Sequence, residues 1–299
     1  MATAPPQQLR SPARSVVADF VTLTKPRIML LILITAYGAM AFAAGGFPPA
    51  DVTIATLFGL GLSSGGASAL NHYYDRDIDA LMHRTALRPI PAGRVAPDTA
   101  MGFGIGLIVS SFAVLALYVN LLTALLAVGG AVFYVVVYTI WLKRRTTQNI
   151  VIGGAAGAVP PLVGWAAITG EVGLAAVFMF AIIFYWTPPH FWALAILAKD
   201  EYAKAGVPML PVVRGERETA RQILLYTVLL TGVTVLPFLA GSFGATYLTI
   251  ALVLDAAFLV FAVQLVRGAT RPAARNVFLY SLAYLALVFA AIGLDRINF

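Results

Sequence analysis

Nine apolar stretches, each roughly one membrane thickness long, follow one another through most of this sequence. A helix needs about 20 apolar residues to cross the hydrocarbon core of a bilayer. Inside that core, backbone polar groups can be satisfied only in helices or in closed barrels. With 60% hydrophobic and only 11% charged residues, we predict an all-α integral membrane protein. The predicted spans are residues 26–46, 51–71, 98–119, 121–141, 149–168, 172–194, 221–241, 244–266 and 276–294.

The basic residues lie almost entirely on one side of these spans. If the N-terminus is cytoplasmic, every one of the 20 lysines and arginines except Arg296 falls in an inner segment. Cytoplasmic loops of membrane proteins carry such an excess. The pattern therefore predicts a cytoplasmic N-terminus and a C-terminus outside. It also explains the net charge of +7 by contact with membrane lipid, so we expect no nucleic-acid partner.

The segments between the spans define the domain organisation. Residues 1–20 are rich in proline and alanine, lack an apolar core and predict a disordered cytoplasmic arm. Residues 21–299 predict a single domain of nine spans. Two inner loops, 72–97 and 195–220, exceed twenty residues, and loops of this length in a compact bundle are usually functional. The chain has no cysteine, which excludes disulfides and thiolate chemistry.

Asn71, Asp75 and Asp79 form the first candidate site, where the second span meets the cytoplasm. Their spacing of four residues places all three on one face of a helix. Carboxylate and amide oxygens suit Mg²⁺, which usually also bridges to substrate phosphates. Charges at this depth in a membrane are costly and are usually functional. The alternative is an ordinary solvated loop in which the two aspartates pair with nearby arginines.

A basic run follows directly on this acidic face. Arg84 and Arg88 lie one helical turn apart, so both can reach the same anion, and arginine binds phosphates and carboxylates with a fixed fork of donors. Pro89 and Pro91 end the helix. The alternative is that these charges only retain the loop in the cytoplasm. The candidate substrate-binding and catalytic residues of the run are His83, Arg84, Arg88 and Arg94.

The sixth span ends in the sequence TPPHFW, residues 187–192. Pro188 and Pro189 are expected to break the helix and to expose its backbone. His190 then lies in an aromatic setting that suits a large flat substrate, and a neutral imidazole is a common metal ligand. The alternative is a lone histidine within an interfacial aromatic belt. The aromatic residues assigned to substrate binding with His190 are Tyr185, Trp186 and Trp192.

The second long inner loop carries a further charged cluster. Asp200 and Glu201 can supply a second cation site, and Lys199 and Lys204 can bind a diphosphate or a carboxylate. Tyr202 can donate a hydrogen bond. The alternative is the solvated surface of a short helix.

Taken together, these motifs resemble the UbiA superfamily of intramembrane prenyltransferases. The superfamily pattern NxxxDxxxD is present as residues 71–79, and the resemblance extends over about residues 20–295. Three narrower runs resemble the members that prenylate protohaem: HRTxxRPxPxG at 83–93, TPPHFW at 187–192 and KDEYxxAGxPMLPV at 199–212. One departure is that Asp200 is followed four residues later by Lys204, where many members have a second aspartate.

The resemblance implies a UbiA-type bundle around a central apolar chamber in the bacterial inner membrane. It implies farnesyl diphosphate and protohaem IX as substrates, with haem A synthase as a partner that receives the product. Mg²⁺ is the implied cofactor, held by Asn71, Asp75, Asp79 and Asp200. Arg84, Arg88 and Lys199 would bind the leaving diphosphate. Two other functions stay open: transfer to another acceptor, such as a quinone precursor or chlorophyllide, and non-catalytic transport of haem or lipid.

Overall fold

The computed structural model describes residues 15–297. Within them, nine helical segments are long and apolar enough to cross a membrane, which confirms the predicted number of spans. Each observed span lies within a few residues of its prediction, except that the seventh and ninth begin about one turn earlier. The spans are Pro26–Ala44, Ala50–Tyr74, Pro97–Tyr118, Leu121–Leu142, Asn149–Thr169, Leu174–Leu197, Gly215–Leu239, Ala245–Gly268 and Arg271–Arg296.

Shorter helices precede, interrupt or connect these spans. In chain order the helices are α1 (Val16–Leu23), α2 (Pro26–Ala44), α3 (Ala50–Tyr74), α4 (Arg76–Leu81), α5 (Pro97–Tyr118), α6 (Leu121–Val132), α7 (Asn149–Ala158), α8 (Pro160–Thr169), α9 (Leu174–Leu197), α10 (Lys199–Lys204), α11 (Leu210–Val213), α12 (Gly215–Leu239), α13 (Ala245–Gly268) and α14 (Arg271–Ile297).

The predicted arm 1–20 needs a correction at its C-terminal end. Residues 1–14 lie outside the described part of the chain. Residues 16–20 belong to α1, whose first turn is capped by the Ser15 hydroxyl accepting a hydrogen bond from the Ala18 N–H. A serine cap satisfies one of the free N–H groups at a helix start. The arm as predicted is therefore too long.

The spans pack in two groups. α2, α3, α5 and α6 pack together in the first group, and α9, α12, α13 and α14 pack together in the second. The fifth span, α7 and α8, joins the groups because α8 packs against α2 and α7 packs against α9. The tightest contact of the first group is between α3 and α5. There a Cβ at Gly66 would lie only 2.5 Å from the Gly104 carbonyl oxygen, so glycine permits the close approach.

The fourth span changes its helical geometry halfway. α6 is followed by a π-helix, Phe133–Leu142, and at its end the Lys143 N–H donates to the Tyr138 carbonyl, five residues earlier, at 2.9 Å. A π-segment rotates later side chains relative to an α-helix and is frequent at functional sites. Here the wider turn accompanies the contact of Thr139 and Lys143 with the polar end of α3.

The sixth span contradicts the prediction that Pro188 and Pro189 break the helix. α9 continues through both prolines to Leu197. Proline removes two backbone donors, but membrane helices tolerate this where neighbouring helices and side chains support the segment. α9 has such support because it packs against α7, α12 and α14, and the Trp186 indole N–H donates to the Ser281 carbonyl at 2.7 Å.

Two aspartates join the helices of the second group. Asp255, in the middle of α13, accepts hydrogen bonds from the Thr234 hydroxyl at 2.6 Å and the Tyr284 hydroxyl at 2.7 Å. Asp295, near the end of α14, accepts from the backbone N–H groups of Gly244 and Tyr247 at 2.5 and 3.0 Å. Asp295 therefore caps the start of α13 from a different helix. These contacts hold α12, α13 and α14 together.

Candidate active site

Asn71, Asp75 and Asp79 lie together at the C-terminal end of α3, and each is no more than 3% exposed. The sequence suggested one continuous helix for these residues, but the structure has a break. α3 ends at Tyr74, Asp75 has φ −92° and ψ 4°, and α4 begins at Arg76. The backbone hydrogen bonds from Asp75 to Asn71 and from Asp79 to Asp75 still span four residues. The three side chains therefore stay on one buried face across the break.

Asn71 is the centre of a hydrogen-bond network. Its side-chain amide donates to the Asp75 carboxylate at 2.7 Å and to the Thr139 hydroxyl at 3.0 Å. Its side-chain oxygen accepts from the Lys25 ammonium at 2.7 Å. The partners come from the start of α2 and from the π-helix. The network therefore fixes the amide so that its oxygen faces Lys25.

Each buried aspartate has a cationic partner. The Lys143 ammonium lies 2.5 Å from Asp75 Oδ2, while Asp75 Oδ1 is buried without a hydrogen-bond partner. One nitrogen of the Arg88 guanidinium donates to both oxygens of Asp79, at 2.9 and 2.7 Å. A buried carboxylate needs such partners because desolvation of the charge is costly. The pairing that the sequence analysis gave as an alternative is present, but in a buried cluster rather than in a solvated loop.

Sequence reasoning missed Lys25, Thr139 and Lys143. All three lie outside the long loop 72–97, Lys25 before it and the other two after it, and no regular spacing connects them to Asn71 or Asp75. The available signal was a basic residue directly next to a span, which the positive-inside rule explains equally well. Burial, together with the positive charges of Arg88 and Lys143, lowers the pKa of Lys25 to about 7. Such crowding of like charges is typical of a site that binds an anion.

The donor set at Asn71, Asp75 and Asp79 fits a hard divalent cation. All its atoms are carboxylate or amide oxygens, the ligands that Mg²⁺ prefers. The unpartnered Asp75 Oδ1 is a buried acceptor that a cation would satisfy. Among residues 15–297, no group of three histidine, aspartate or glutamate side chains is arranged to hold a metal by itself. The site suits an ion that takes its remaining ligands from water or substrate.

The other residues of the basic run divide between the site and its surroundings. His83 and Arg84 are exposed, and Arg84 lies within electrostatic range of Tyr138 in the π-helix. The Arg94 Nε–H donates to both oxygens of Asp19 at 3.0 Å. Arg94 therefore connects this loop to α1, a contact that the sequence did not suggest.

His190 has a well-defined orientation between α9 and α14. Its ring stacks on Trp186 and on Phe278, with centroids 4.4 and 4.9 Å apart. Its Nδ1 lies 2.7 Å from the Ser281 hydroxyl oxygen, and that hydroxyl donates to the Phe278 carbonyl at 2.6 Å. Since the serine has only one hydrogen to donate, the proton on this contact belongs to Nδ1. His190 Nε2 then carries a lone pair.

The predicted aromatic surface is divided between two helix interfaces. Trp186 and His190, four residues apart, face α14. Tyr185 and Trp192, seven residues apart, face α12, where their ring centroids lie 6.3 and 5.3 Å from that of Tyr226. Because α9 remains helical through the prolines, its side chains point in several directions. The structure does not bring all four onto one surface.

The second loop does not place Asp200 in the acidic site. Its side chain is 75% exposed and lies 3.3 Å from Arg271 on α14, which contradicts its assignment as a metal ligand. The reason is geometric: Asp200 lies on the outer side of α10, whereas its neighbour Glu201 has a buried, unpartnered oxygen. Lys199 pairs with Glu216 at 3.1 Å.

The two long loops contribute to one hydrophobic core. Ile78 and Met82 of the first loop belong to the same buried hydrophobic cluster as Val207 and Met209 of the second. Tyr202 lies within electrostatic range of Tyr138, next to the acidic site, and Lys204 is exposed. Residues of both loops are therefore buried with the spans, and Tyr202 brings the second loop near the fourth span.

The region that forms most of these spanning helices and the buried acidic face matches one known protein family. The family model described as the UbiA prenyltransferase family matches residues 32–288, and this chain belongs to that family. Its fold and membrane character are thereby confirmed. It is a multi-pass membrane prenyltransferase.

Curated relatives narrow the comparison further. The chain is 55% identical to the protoheme IX farnesyltransferase of Symbiobacterium thermophilum over 282 residues, covering 94% of each chain. It is 52% identical to the protein of the same name from Gloeobacter violaceus, covering 93% of this chain and 92% of the relative. The protoheme IX farnesyltransferase of Granulibacter bethesdensis is 48% identical and is covered to 94% of its length.

Solved structures share the fold at low sequence identity. A structure of digeranylgeranylglyceryl phosphate synthase aligns with a TM-score of 0.80 at 18% identity, covering 95% of this chain and 99% of the other. A UbiA homologue from Archaeoglobus fulgidus, bound to DMAPP and Mg²⁺, aligns with a TM-score of 0.67 at 17% identity, covering 92% and 99%. Both confirm the architecture of the bundle.

Proposed function

We propose that this protein transfers the farnesyl group of farnesyl diphosphate to a vinyl group of protohaem IX, giving haem O and diphosphate. The observation that carries the proposal is the buried cluster of Asp75 and Asp79 with the cations Lys25, Arg88 and Lys143. Three relatives of 48–55% identity are named protoheme IX farnesyltransferase, and this name supports protohaem IX as the acceptor. In this assignment haem is a substrate rather than a cofactor.

The diphosphate end of the substrate would bind at the acidic face. Asn71, Asp75 and Asp79 would hold Mg²⁺, which when bound offsets negative charge on the diphosphate oxygens. The cluster itself has three cations and two carboxylates, so it retains a positive charge that suits an anion. Lys143 and Arg88 would supply charge-assisted hydrogen bonds to the oxygens that gain charge as the C–O bond breaks.

Several residues at the edge of this site complete the proposed binding region. Arg84 is exposed next to the cluster and would meet the diphosphate as it enters. Lys199 and Lys204, on the second loop, would attract the same anion or the propionates of haem. We leave Asp200 out of the metal site because of its exposure and its contact with Arg271. The remaining residues kept as substrate contacts are His83, Glu201 and Tyr202.

The acceptor half of the proposal centres on His190. Its Nδ1–H is bound to Ser281, and its ring is fixed between Trp186 and Phe278. A histidine whose second nitrogen is held in this way is oriented to present its free nitrogen to a metal or a donor. We therefore retain His190, with Trp186, as the contact to the porphyrin. Tyr185 and Trp192 face α12 and would act on a different side of the substrate chamber.

The reaction needs no protein nucleophile. Loss of diphosphate leaves an allylic cation at the first farnesyl carbon, and the terminal carbon of the haem vinyl group bonds to it. The positive charge then lies on the carbon next to the porphyrin ring, where water adds and one proton is released. The apolar spans would exclude water from the first cation until the vinyl group attacks. This scheme agrees with a chain that has no cysteine.

The same proposal fixes the location of the site. The basic residues of the inner segments would face the cytoplasm of a bacterium, with the N-terminus inside and the C-terminus in the periplasm. Water-soluble diphosphate would then leave into the cytoplasm, while haem and the farnesyl chain stay in the membrane. A haem A synthase would be the next enzyme to receive the product.

The test supplies purified protein with protohaem IX, farnesyl diphosphate and Mg²⁺ and measures the haem product by mass spectrometry. We expect a product heavier than protohaem by one farnesyl group and one hydroxyl group, and none after Mg²⁺ is chelated. Asp75→Asn should abolish the product, whereas Asp98→Asn, an exposed carboxylate in the first turn of α5, should not. Formation of a prenylated quinone precursor instead of a prenylated haem would refute the proposed acceptor.

A further inference from the structure

His72 is a buried polar side chain that the proposed chemistry does not yet use. It follows Asn71 directly in α3 and is 1% exposed. Neither Nδ1 nor Nε2 has a hydrogen-bond partner in the protein. In its neutral form an imidazole has one N–H donor and one acceptor nitrogen. Leaving such a group buried without partners costs free energy, and native structures rarely do so without a ligand or water nearby.

The position of His72 on α3 shows which way it faces. Residues seven apart lie on nearly the same face of an α-helix, and Gly65 lies seven residues before His72. A Cβ at Gly65 would lie 3.2 Å from the Thr24 side chain. His72 therefore lies on the side of α3 that, two helical turns earlier at Gly65, contacts the turn between α1 and α2. Lys25 lies in that turn, directly before α2, and its backbone has the unusual positive φ of 51°.

The surroundings of His72 are strongly cationic. Lys25, Arg88 and Lys143 all lie within electrostatic range of its ring. The same three side chains are bound to Asn71, Asp79 and Asp75 respectively. Three positive charges around a ring that has no hydrogen-bond partner among residues 15–297 favour a negatively charged ligand with acceptor atoms. The group that fits between these cations and the ring N–H is an anion with several acceptor oxygens.

We propose that the His72 N–H donates a hydrogen bond to a non-bridging oxygen of the prenyl diphosphate. This inference rests on the proposed function, since it concerns the same substrate. His72 would thus be a substrate-binding residue that adds a donor without adding a charge. It extends the diphosphate site from the face of α3 that carries Asn71 and Asp75 to the neighbouring face that carries His72.

The experiment measures binding rather than turnover. The probe is farnesyl S-thiolodiphosphate, an analogue that resists cleavage, added with Mg²⁺ to the full-length protein in detergent, with inorganic diphosphate as a second probe. The variants are His72→Leu, which removes the donor, and His72→Gln, which keeps one. The matched control is Thr56→Val, because Thr56 also lies buried in α3 with an unpartnered hydroxyl, in the opposite half of the span.

We expect His72→Leu to weaken binding of both probes by roughly 10- to 100-fold, the size of one hydrogen bond to a charged group. His72→Gln should bind within about threefold of the wild type, and Thr56→Val should bind like the wild type. Ligand-free His72→Leu should unfold at the same temperature as the wild type or higher, because it removes an unsatisfied buried group. A purely structural histidine would instead lower that temperature and leave binding intact.

Two outcomes separate the inference from the proposed function. If the wild type binds the farnesyl probe and His72→Leu binds it equally well, His72 contacts no diphosphate and the inference fails. If the wild type binds neither probe, the proposed function itself fails. Selective ¹⁵N labelling gives a readout on the unmutated protein, since the chain has only three histidines. A ring resonance that disappears in His72→Gln should shift when inorganic diphosphate and Mg²⁺ are added, and the absence of that shift would also overturn the inference.

Discussion

The pair of Asp75 and Lys143 allows stability and catalysis to be separated in one experiment. The Asp75 side chain is 1% exposed and that of Lys143 is 15% exposed. Removing one partner of a buried ion pair leaves an uncompensated charge, which costs about 3–5 kcal/mol. In Lys143→Met, Asp75 would keep the Asn71 amide at 2.7 Å, and Arg144 lies 4.0 Å away. We therefore expect the lower limit, about 3 kcal/mol of lost stability.

The reverse substitution and the double variant complete the cycle. Asp75→Asn leaves Lys143, which is near enough to the surface to reach water, so we expect a loss of about 1–2 kcal/mol. The double variant carries no unpaired buried charge and should lie within about 1 kcal/mol of the wild type. The two single losses sum to about 4–5 kcal/mol and the double variant loses at most about 1 kcal/mol, so the pairwise interaction energy would be about 3–5 kcal/mol, at or above the upper end of the range found for residues in direct contact.

The assay is equilibrium unfolding in mixed micelles, followed by the fluorescence of the four tryptophans, together with the haem product assay. All three variants should lack activity, although the double variant is nearly as stable as the wild type. A Lys143→Met protein within about 0.5 kcal/mol of the wild type, the range of ordinary surface substitutions, would refute the buried-pair reasoning. An active double variant would refute the catalytic assignment of Asp75.

Three further predictions follow from single contacts. Gly66→Ala places a Cβ 2.5 Å from the Gly104 carbonyl oxygen and should destabilise the protein by about 1–3 kcal/mol through overpacking. The control Gly102→Ala adds a Cβ that meets nothing within 4 Å and should be neutral or stabilising. Equal unfolding free energies of the two variants would contradict the α3–α5 contact. Asp295→Ala removes the cap of α13 and should cost about 0.5–2 kcal/mol, measured by the same unfolding assay, and no change would show that the cap is dispensable. Ser281→Ala removes the hydrogen bond to the His190 ring and should weaken protohaem binding in an optical titration, while binding of the farnesyl probe is unchanged. An unchanged haem affinity would remove His190 from the acceptor site.

The family and the architecture were predictable from sequence because the membrane restricts both. Hydrocarbon permits few structures, so apolar length alone predicted the nine spans, and the distribution of arginine and lysine suggested their orientation. The spacing of Asn71, Asp75 and Asp79 likewise predicted one shared face, which survives although the helix breaks at Asp75. The face survives because backbone hydrogen bonds between residues four apart continue across the break.

Only the tertiary structure decided which groups meet that face. Lys25 and Lys143 are 46 and 68 residues away from their respective partners in sequence, and the π-helix that accompanies Lys143 has no sequence signature comparable to a proline. Packing from three neighbouring helices also decided that α9 continues through Pro188 and Pro189, against their local tendency. The orientation of a side chain at a loop, such as Asp200 toward Arg271, depends on contacts between distant segments. Periodicity predicts faces within one helix, but charges from several helices complete a buried site.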